Sequence, residues 1–539
     1  DALYPLPGEL LAAPPKNPSL FARDVSPVQV LLASDEQWRK PVALHEISQT
    51  LIEATIAVED QRFRQHVGVD PLAILRAVKQ NALSGRTLSG ASTLTMQLVK
   101  MQSRHLKRNL ANKLNEAFRA LQLERELSKD QILELYLNVA PYVGNHRGIE
   151  SASLALFAKH AADLSQAEAY LLAGLPQSPT FYNPNRRPKN ALARREMVLA
   201  AAVQTGQLDE EEARRISNTR LTFEDSPRSI VAPHFARLAF NARPAGGRTT
   251  LDTALQQRCE QIVQEHSARL PEGNDIALIV IELETGAVRA LIGSADVLDP
   301  IDGQVNGATA WRSPGSALKP FLYAAAFEAG LATPKTQIDD SPMELAGWTP
   351  GNFEGDFSGS VSATDALRRS LNIPAMRIAR LAGLTRTIGV LESSGVRFRP
   401  GTAQAAGLAL ATGAAEVRLI DLTNAYATLG RNGTFKPWVL FEDQTDTPLA
   451  GNRVLSEKTC DHLHGMLSTR KRFEAARQNA HHFCWKTGTS SGFRDAWSLG
   501  HDDQYAVGIW VGNFSGTGHP AFVGSQAATP MLTDVFLGQ

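Results

Sequence analysis

The chain has 539 residues, too many for one core and enough for two large domains. Its 43% hydrophobic and 20% charged content excludes a disordered chain, and 55 Lys+Arg against 55 Asp+Glu leave no net charge that would name a partner. The cysteines Cys259, Cys460 and Cys484 exclude a disulfide scaffold and have no zinc spacing; they read as small buried hydrophobes, with Cys460–Cys484 the one bridge to check.

Residues 1–42 are Pro-rich and irregular, with a strand candidate over 26–34. Residues 43–200 carry helical patterns. "LIEATIAVEDQRF" opens as an ordinary helix, then sets Glu59 and Asp60 side by side. Leu106, Leu110, Leu114, Phe118 and Leu121 recur at steps of three or four and predict one apolar face. "SKDQILELYLN" has a helix-starting Ser128, and "AEAYLLAGLP" is a helix stopped by Pro176. Residues 201–250 are polar and mixed and read as a connector. From 251 to 539 the texture changes: "DIALIVIELETGAVRALIGS" is a hairpin, "YAVGIWVGNF" another strand, and helices such as "VRLIDLTNAYATLGRNG" lie between. The expectation is an all-α domain followed by an α+β domain with an antiparallel sheet. No apolar run reaches about 18 residues, so nothing in the chain reads as a membrane span. The first residue is Asp1, so a membrane anchor is expected to precede it, and a small further domain is expected beyond the C-terminal end.

In the second half, "SPGSALKP" holds Ser316-x-x-Lys319. On a helix that spacing is about one turn, so the hydroxyl and the amine are expected to meet. A serine hydroxyl needs a base to become a nucleophile, and a lysine with a lowered pKa can serve. "RSLNIP" adds Ser370-x-Asn372, and "WKTGTSSG" adds Lys486-Thr487-Gly488 at the end of a strand. The ordered set is the signature of penicillin-recognising serine acyl enzymes. Ser316 is then the nucleophile and Lys319 the base, with Ser370 and Asn372 holding Lys319. Lys486, Thr487 and Thr489 present charge and hydroxyls to a substrate carboxylate, Gly488 lets substrate backbone approach the strand, and the N–H groups of Ser316 and Thr489 form the oxyanion hole.

In the first half, residues 71–115 carry eight cations and no anion: Arg76, Lys79, Arg86, Lys100, Arg104, Lys107, Arg108 and Lys113. Such a bias implies an anionic partner. The stretch lacks the interleaved aromatics of a nucleic-acid binder, and its "SGASTLTMQLVK" loop entering a helix suits a phosphate. Glu59 and Glu116 flank this zone, and two carboxylates around a cationic cleft are the equipment of glycosyl chemistry. Glu59 is the candidate base, and Asp60 is expected to set its charge state and position.

"EDQRFRQH", "GASTLTMQLVK", "NKLNE" and "KDQILELYLN" resemble, in order, the motifs of the family 51 peptidoglycan glycosyltransferases. Together with the serine signature, the chain resembles the class A penicillin-binding proteins, most of all their 1C subgroup. The resemblance implies a lysozyme-like all-α glycosyltransferase domain over 43–200 and an α+β penicillin-binding transpeptidase domain over 251–539. It implies that lipid II is polymerised by inverting transfer, with Glu59 deprotonating the sugar 4-hydroxyl and Glu116 assisting departure of undecaprenyl pyrophosphate. Ser92, Thr93, Gln97, Lys100 and Lys113 would hold pyrophosphates and sugars, and Phe63 and His66 would shape the pocket behind Glu59. It further implies crosslinking of stem peptides ending in D-Ala-D-Ala, β-lactams as covalent inhibitors at Ser316, and a place at the periplasmic face of the bacterial inner membrane. No cofactor is required, although a divalent metal, Mg or Mn, is compatible with the lipid pyrophosphate; no ligand cluster stands out. The serine half alone would also suit a carboxypeptidase or a non-turnover β-lactam-sensing scaffold. Two positions depart from the family pattern: Asn112 stands where Arg is usual, with Arg108 one turn earlier, and Met96 where Gln is usual.

Overall fold

The computed structural model describes residues 4–76, 92–103, 110–223, 231–344, 348–445, 452–468 and 482–538. The chain divides into two units, Asp1–Pro18 with Val30–Arg228, and Ser19–Gln29 with Ser229–Gln539.

The first unit is helical: α1 (Gln49–Glu59), α2 (Leu94–Gln102), α3 (Leu110–Glu126), α4 (Lys129–Val139), α5 (Gln166–Gly174) and α6 (Pro188–Gln204) carry it, with one small hairpin over Pro141–Val143 and His146–Arg147. α4 begins where Ser128 and Gln131 cap each other reciprocally. α1 packs on α5 and α6, and α2 packs on α3 and α4. Leu51, Phe63, Leu94, Leu98, Ile132, Tyr136 and Leu171 share one core. The α3 stripe is turned outward: Leu114, Phe118 and Leu121 are 65%, 40% and 37% exposed, while Glu116, Arg119, Ala120, Gln122 and Leu123 are buried. Leu106 lies outside the described residues. Spacing tells which residues share a face, not whether that face meets the protein.

The second unit is built on a five-stranded antiparallel sheet. Its strands are β1 (Asp275–Glu282), β2 (Val288–Ile292), β3 (Cys484–Thr489), β4 (Asp495–His501) and β5 (Tyr505–Gly512), in the order β3-β4-β5-β1-β2. β1 is apolar from Ile276 to Ile281 because both its faces are covered. Ala277, Ile279 and Ile281 join the core with α8 (Lys319–Glu328), α9 (Asn372–Ala382) and α10 (Leu419–Gly430). Ile276, Leu278 and Val280 join a second layer with Cys259 and Val263 of α7 (Thr253–Ser267) and Met531 and Leu532 of α11 (Thr529–Leu537).

Residues 201–250 contain the boundary between the units, after Arg228, but they are not merely a connector. α6 runs into them, and Glu210–Ser217 and Pro233–Ala242 are helices. The second buries Phe235, Ala239 and Phe240 on one side; its polar positions mask this in a composition average. Nor is 1–42 one segment, since Ser19–Phe21 pairs in parallel with Gly246–Arg248 inside the second unit. None of the three cysteines forms a disulfide, so the Cys460–Cys484 bridge is absent. Burial pushes the thiols of Cys259 and Cys460 up to about 12, as expected of inert core residues. Among the described residues no helix is long and apolar enough to cross a membrane.

Candidate active sites

The Glu59-Asp60 pair is resolved by the end of a helix. α1 stops at Glu59, four residues before the sequence pattern suggested, and Asp60 leaves the helical path at φ −160°. The two carboxylates therefore point into different surroundings. Asp60 is buried and takes hydrogen bonds from Leu94 N and from His66 Nε2, each at 2.9 Å to Oδ2. Gly68 N donates to His66 Nδ1 at 3.1 Å, which leaves the ring proton on Nε2, facing Asp60. Asp60 thus sits at the positive end of α2, where an anion is favoured. Phe63 backs this cluster, fully buried, with its ring edge-on to His66 and Lys129 Nζ 4.5 Å from its centroid.

Thr93 caps α2 by accepting from Met96 N at 3.2 Å, and its hydroxyl donates to Gly68 O at 2.6 Å. Its hydroxyl proton is committed to the fold, so it fixes α2 and has no hydroxyl donor left for a phosphate. That capped helix aims Gln97 at Glu59: Gln97 Nε2 donates to Glu59 Oε2 at 2.9 Å, while Tyr136 donates to Gln97 Oε1 at 3.4 Å. Gln97 is therefore a partner of the candidate base. On the other side Arg194 Nη2 lies 3.5 Å from Glu59 Oε1. Burial raises the Glu59 pKa above the usual carboxylate value; the Gln97 bond and Arg194 pull it down, and Asp60 adds a smaller upward push. Tyr136 and Tyr142 are buried nearby, with phenol pKa values raised first by burial and then by Glu59.

Glu59 opens into a cleft lined also by Asp60, Arg62, Asp70, Arg76, Ser92 and Thr93. Lys113 reaches Ser92 Oγ on this wall and pairs with Glu116 Oε2 at 3.2 Å, so Glu116, itself buried, is tied to the cleft through one cation. Lys100 is exposed on α2. Lys79, Arg86, Arg104, Lys107 and Arg108 of the basic zone lie outside the described residues. Glu134 and Asn138 pin the chain ahead of α1 by bonding Leu44 N and the Val42 backbone, a supporting role. Among the described residues no group of three or more His, Cys, Asp or Glu side chains is arranged to hold a metal ion.

In the second unit, Ser316 sits on a tight turn over Gly315–Leu318 that runs directly into α8. The turn is held from three directions: Trp497 Nε1 donates to Ser313 O, Tyr426 donates to Ala317 O, both at 2.8 Å, and Ser313 donates to Gly413 O at 2.7 Å. Lys319, the first residue of α8, is fully buried. Its Nζ donates to Ser370 O at 2.5 Å and Asn372 Oδ1 at 2.7 Å. Burial, then the charge of Lys486, hold its pKa well below the ordinary lysine value. No hydrogen bond joins Ser316 to Lys319 among the described residues, so the expected direct meeting is not present. The N–H groups of Lys319 go instead to a carbonyl and an amide oxygen, stronger acceptors than a hydroxyl.

Ser370 serves two lysines at once. Its carbonyl faces Lys319, and its hydroxyl accepts from Lys486 Nζ at 2.8 Å. It does so at φ 60°, a conformation disfavoured for any residue with a side chain. Asn372 begins α9 and is oriented by Asn352, whose Oδ1 accepts from Asn372 N at 2.8 Å and whose Nδ2 is held by buried Asp340. Lys486 and Gly488 lie on β3 with Thr487 between them, and Thr489 ends it, accepting from Gly524 N at 3.1 Å.

Gly488 has a packing reason besides the expected approach of substrate backbone. A Cβ there would lie 2.2 Å from Pro314 O, so the glycine admits the turn that carries the nucleophile. Gly315, next to Ser316 and at φ +53°, would place a Cβ 2.7 Å from Thr489 N, so the turn that carries the nucleophile packs directly on the Thr489 backbone. Gly488→Ala is expected to cost about 1–3 kcal/mol in stability through overpacking. A fall in both melting temperature and acylation by labelled penicillin would show it; unchanged acylation would show that the turn can shift.

Residues 25–203 match the family described as Transglycosylase, and residues 276–525 the Penicillin binding protein transpeptidase domain. The chain is 36% identical to Penicillin-binding protein 1C of Escherichia coli (strain K12), over 99% of this chain and 69% of that protein. The chain belongs to the class A penicillin-binding proteins. It joins a peptidoglycan glycosyltransferase to a D-Ala-D-Ala transpeptidase and binds β-lactams. Penicillin-binding protein 1F of Bacillus subtilis (strain 168) is 29% identical over 92% of this chain and 74% of its own length. The crystal structure of Penicillin-Binding Protein 1A from Haemophilus influenzae superposes with a TM-score of 0.65, covering 98% of this chain and 92% of that one; at 18% identity it speaks for the fold alone.

Proposed function

We propose that the first unit polymerises lipid II at the periplasmic face of a bacterial inner membrane and that the second crosslinks the product. One shared feature supports the assignment: in each unit the residue proposed as base, Glu59 or Lys319, is buried and held by polar groups beside a candidate reacting centre. Glu59 takes the proton from the 4-hydroxyl of lipid II as that oxygen bonds to the anomeric carbon of the growing strand. The bond to undecaprenyl pyrophosphate breaks in the same inverting displacement, and Lys113 with Glu116 and Ser92 attends the departing phosphate. Thr93 and Gln97 act through α2 and Glu59. Phe63 and His66 act through Asp60.

Ser316 attacks the carbonyl of the penultimate D-Ala of a stem peptide, losing its proton toward Lys319, and terminal D-Ala leaves. An amine of a neighbouring stem then takes the acyl group. Lys486, Thr487 and Thr489 receive the substrate carboxylate, while the Ser316 and Thr489 N–H groups receive the oxyanion.

The test gives detergent-solubilised lipid II to the full chain and to Ser316→Ala. The parent is expected to make crosslinked strands and the variant uncrosslinked polymer. Products with trimmed stems and no crosslinks would assign hydrolysis to the serine, and absence of polymer in both would remove lipid II as substrate.

A further inference from the structure

Arg194 and Arg195 are neighbours in sequence and part in the fold. Arg195 binds Ser217 O and Thr219 O and pairs with Glu196. Arg194 turns the other way and passes Gly174 so closely that a Cβ there would lie 2.8 Å from Arg194 Cγ, while its Nε donates to Gly174 O at 3.1 Å. The guanidinium stops 3.5 Å from Glu59 Oε1, with side chains only 8% and 9% exposed. That carboxylate oxygen is buried and has no hydrogen-bond partner among the described residues.

We propose that Arg194 is a positioning residue for glycosyl transfer: it is the fixed counter-charge that keeps Glu59 a carboxylate, and Gly174 is the gap through which it reaches. The inference rests on Glu59 being the base. The other charged or titratable groups facing Glu59 are otherwise engaged. Asp60 is bonded to His66 and Leu94 N, Arg62 pairs with Asp70, and Tyr136 and Tyr142 are buried phenols. Arg76 sits on the open side of the cleft, exposed. A cation held in a low-dielectric wall acts on its neighbour far more than one in water. A hydrogen-bond donor at Glu59 Oε1 would compete with the sugar hydroxyl; a guanidinium held beyond bonding distance supplies charge and leaves the oxygen free to take a proton.

The experiment is the pH profile of polymer formation by the full chain. Arg194→Gln is expected to move the acid limb upward by about 1 pH unit. The rate below the limb would fall about tenfold, with the plateau kept. Gly174→Ala should move it in the same direction, because it displaces the arginine stem without changing any charge, and Arg194→Lys should stay near the parent. Should Arg194→Gln not fold, the other two variants carry the same contrast. A uniform loss at every pH, an unmoved limb, or a lysine variant as shifted as the glutamine one would overturn the inference. If Glu59→Gln is meanwhile inactive, the base assignment survives that result; a fully active Glu59→Gln would remove both.

Discussion

Glu59→Gln is expected to slow glycan polymerisation by about 10²–10⁴-fold, the usual worth of a general base. Acylation of Ser316 by labelled penicillin should be unchanged. The substitution keeps the side-chain volume and a polar contact with Gln97, so what disappears is the proton acceptor. The parent enzyme should also lose activity as pH falls through a value above the ordinary carboxylate range, because burial raises the Glu59 pKa and only the ionised form accepts a proton. Polymer formation by Glu59→Gln at the parent rate, measured on gels of labelled glycan, would move the base elsewhere in the cleft.

The second large effect belongs to Lys319. Lys319→Met should lower penicillin acylation by about 10²–10⁴-fold. In the parent, acylation should climb with pH through the lowered Lys319 pKa and level off well below the pH at which a free lysine, pKa about 10.4, loses its proton. Stability carries the same sign. The folded-state pKa is depressed, so between it and the unfolded value the unfolded chain binds more protons, and stability rises with pH across that window. Lys319→Met should flatten that dependence. An acylation profile that still rises near pH 10 would mean that Lys319 is charged in the resting enzyme and that another group takes the serine proton.

Much of both sites was legible in the sequence, because their chemistry is carried by short ordered motifs. Glu59, Ser316, Lys319, Ser370, Asn372 and Lys486 each sit in one. What the motifs could not tell is where each polar group spends its hydrogen bonds. Thr93 and Gln97 read as ligand-holding residues and prove to be committed to α2 and to Glu59. Arg194 was missed because nothing local separates it from Arg195; the distinction lies in Gly174, twenty positions away. Asn352, Tyr426 and Trp497 were missed for the same reason, each reaching its site from a distant segment. The exposed α3 stripe fails differently: periodicity gave the face correctly, but its environment is a tertiary fact. The helices within 201–250 were hidden by averaging over polar positions.

The glycines around Ser316 bear on how this site can vary. Gly413 meets Gly315, Gly315 meets Thr489, Gly488 meets Pro314, and Gly524 meets Gly488, with approaches of 2.2–2.5 Å for any added Cβ. Four segments far apart in the chain thus interlock with no spare methyl's width. A lineage under pressure from an inhibitor would have to change several of them together to reshape the floor beneath the nucleophile. Single-step escape should therefore collect on the rim, leaving the floor unaltered while the reactivity of the serine is retained.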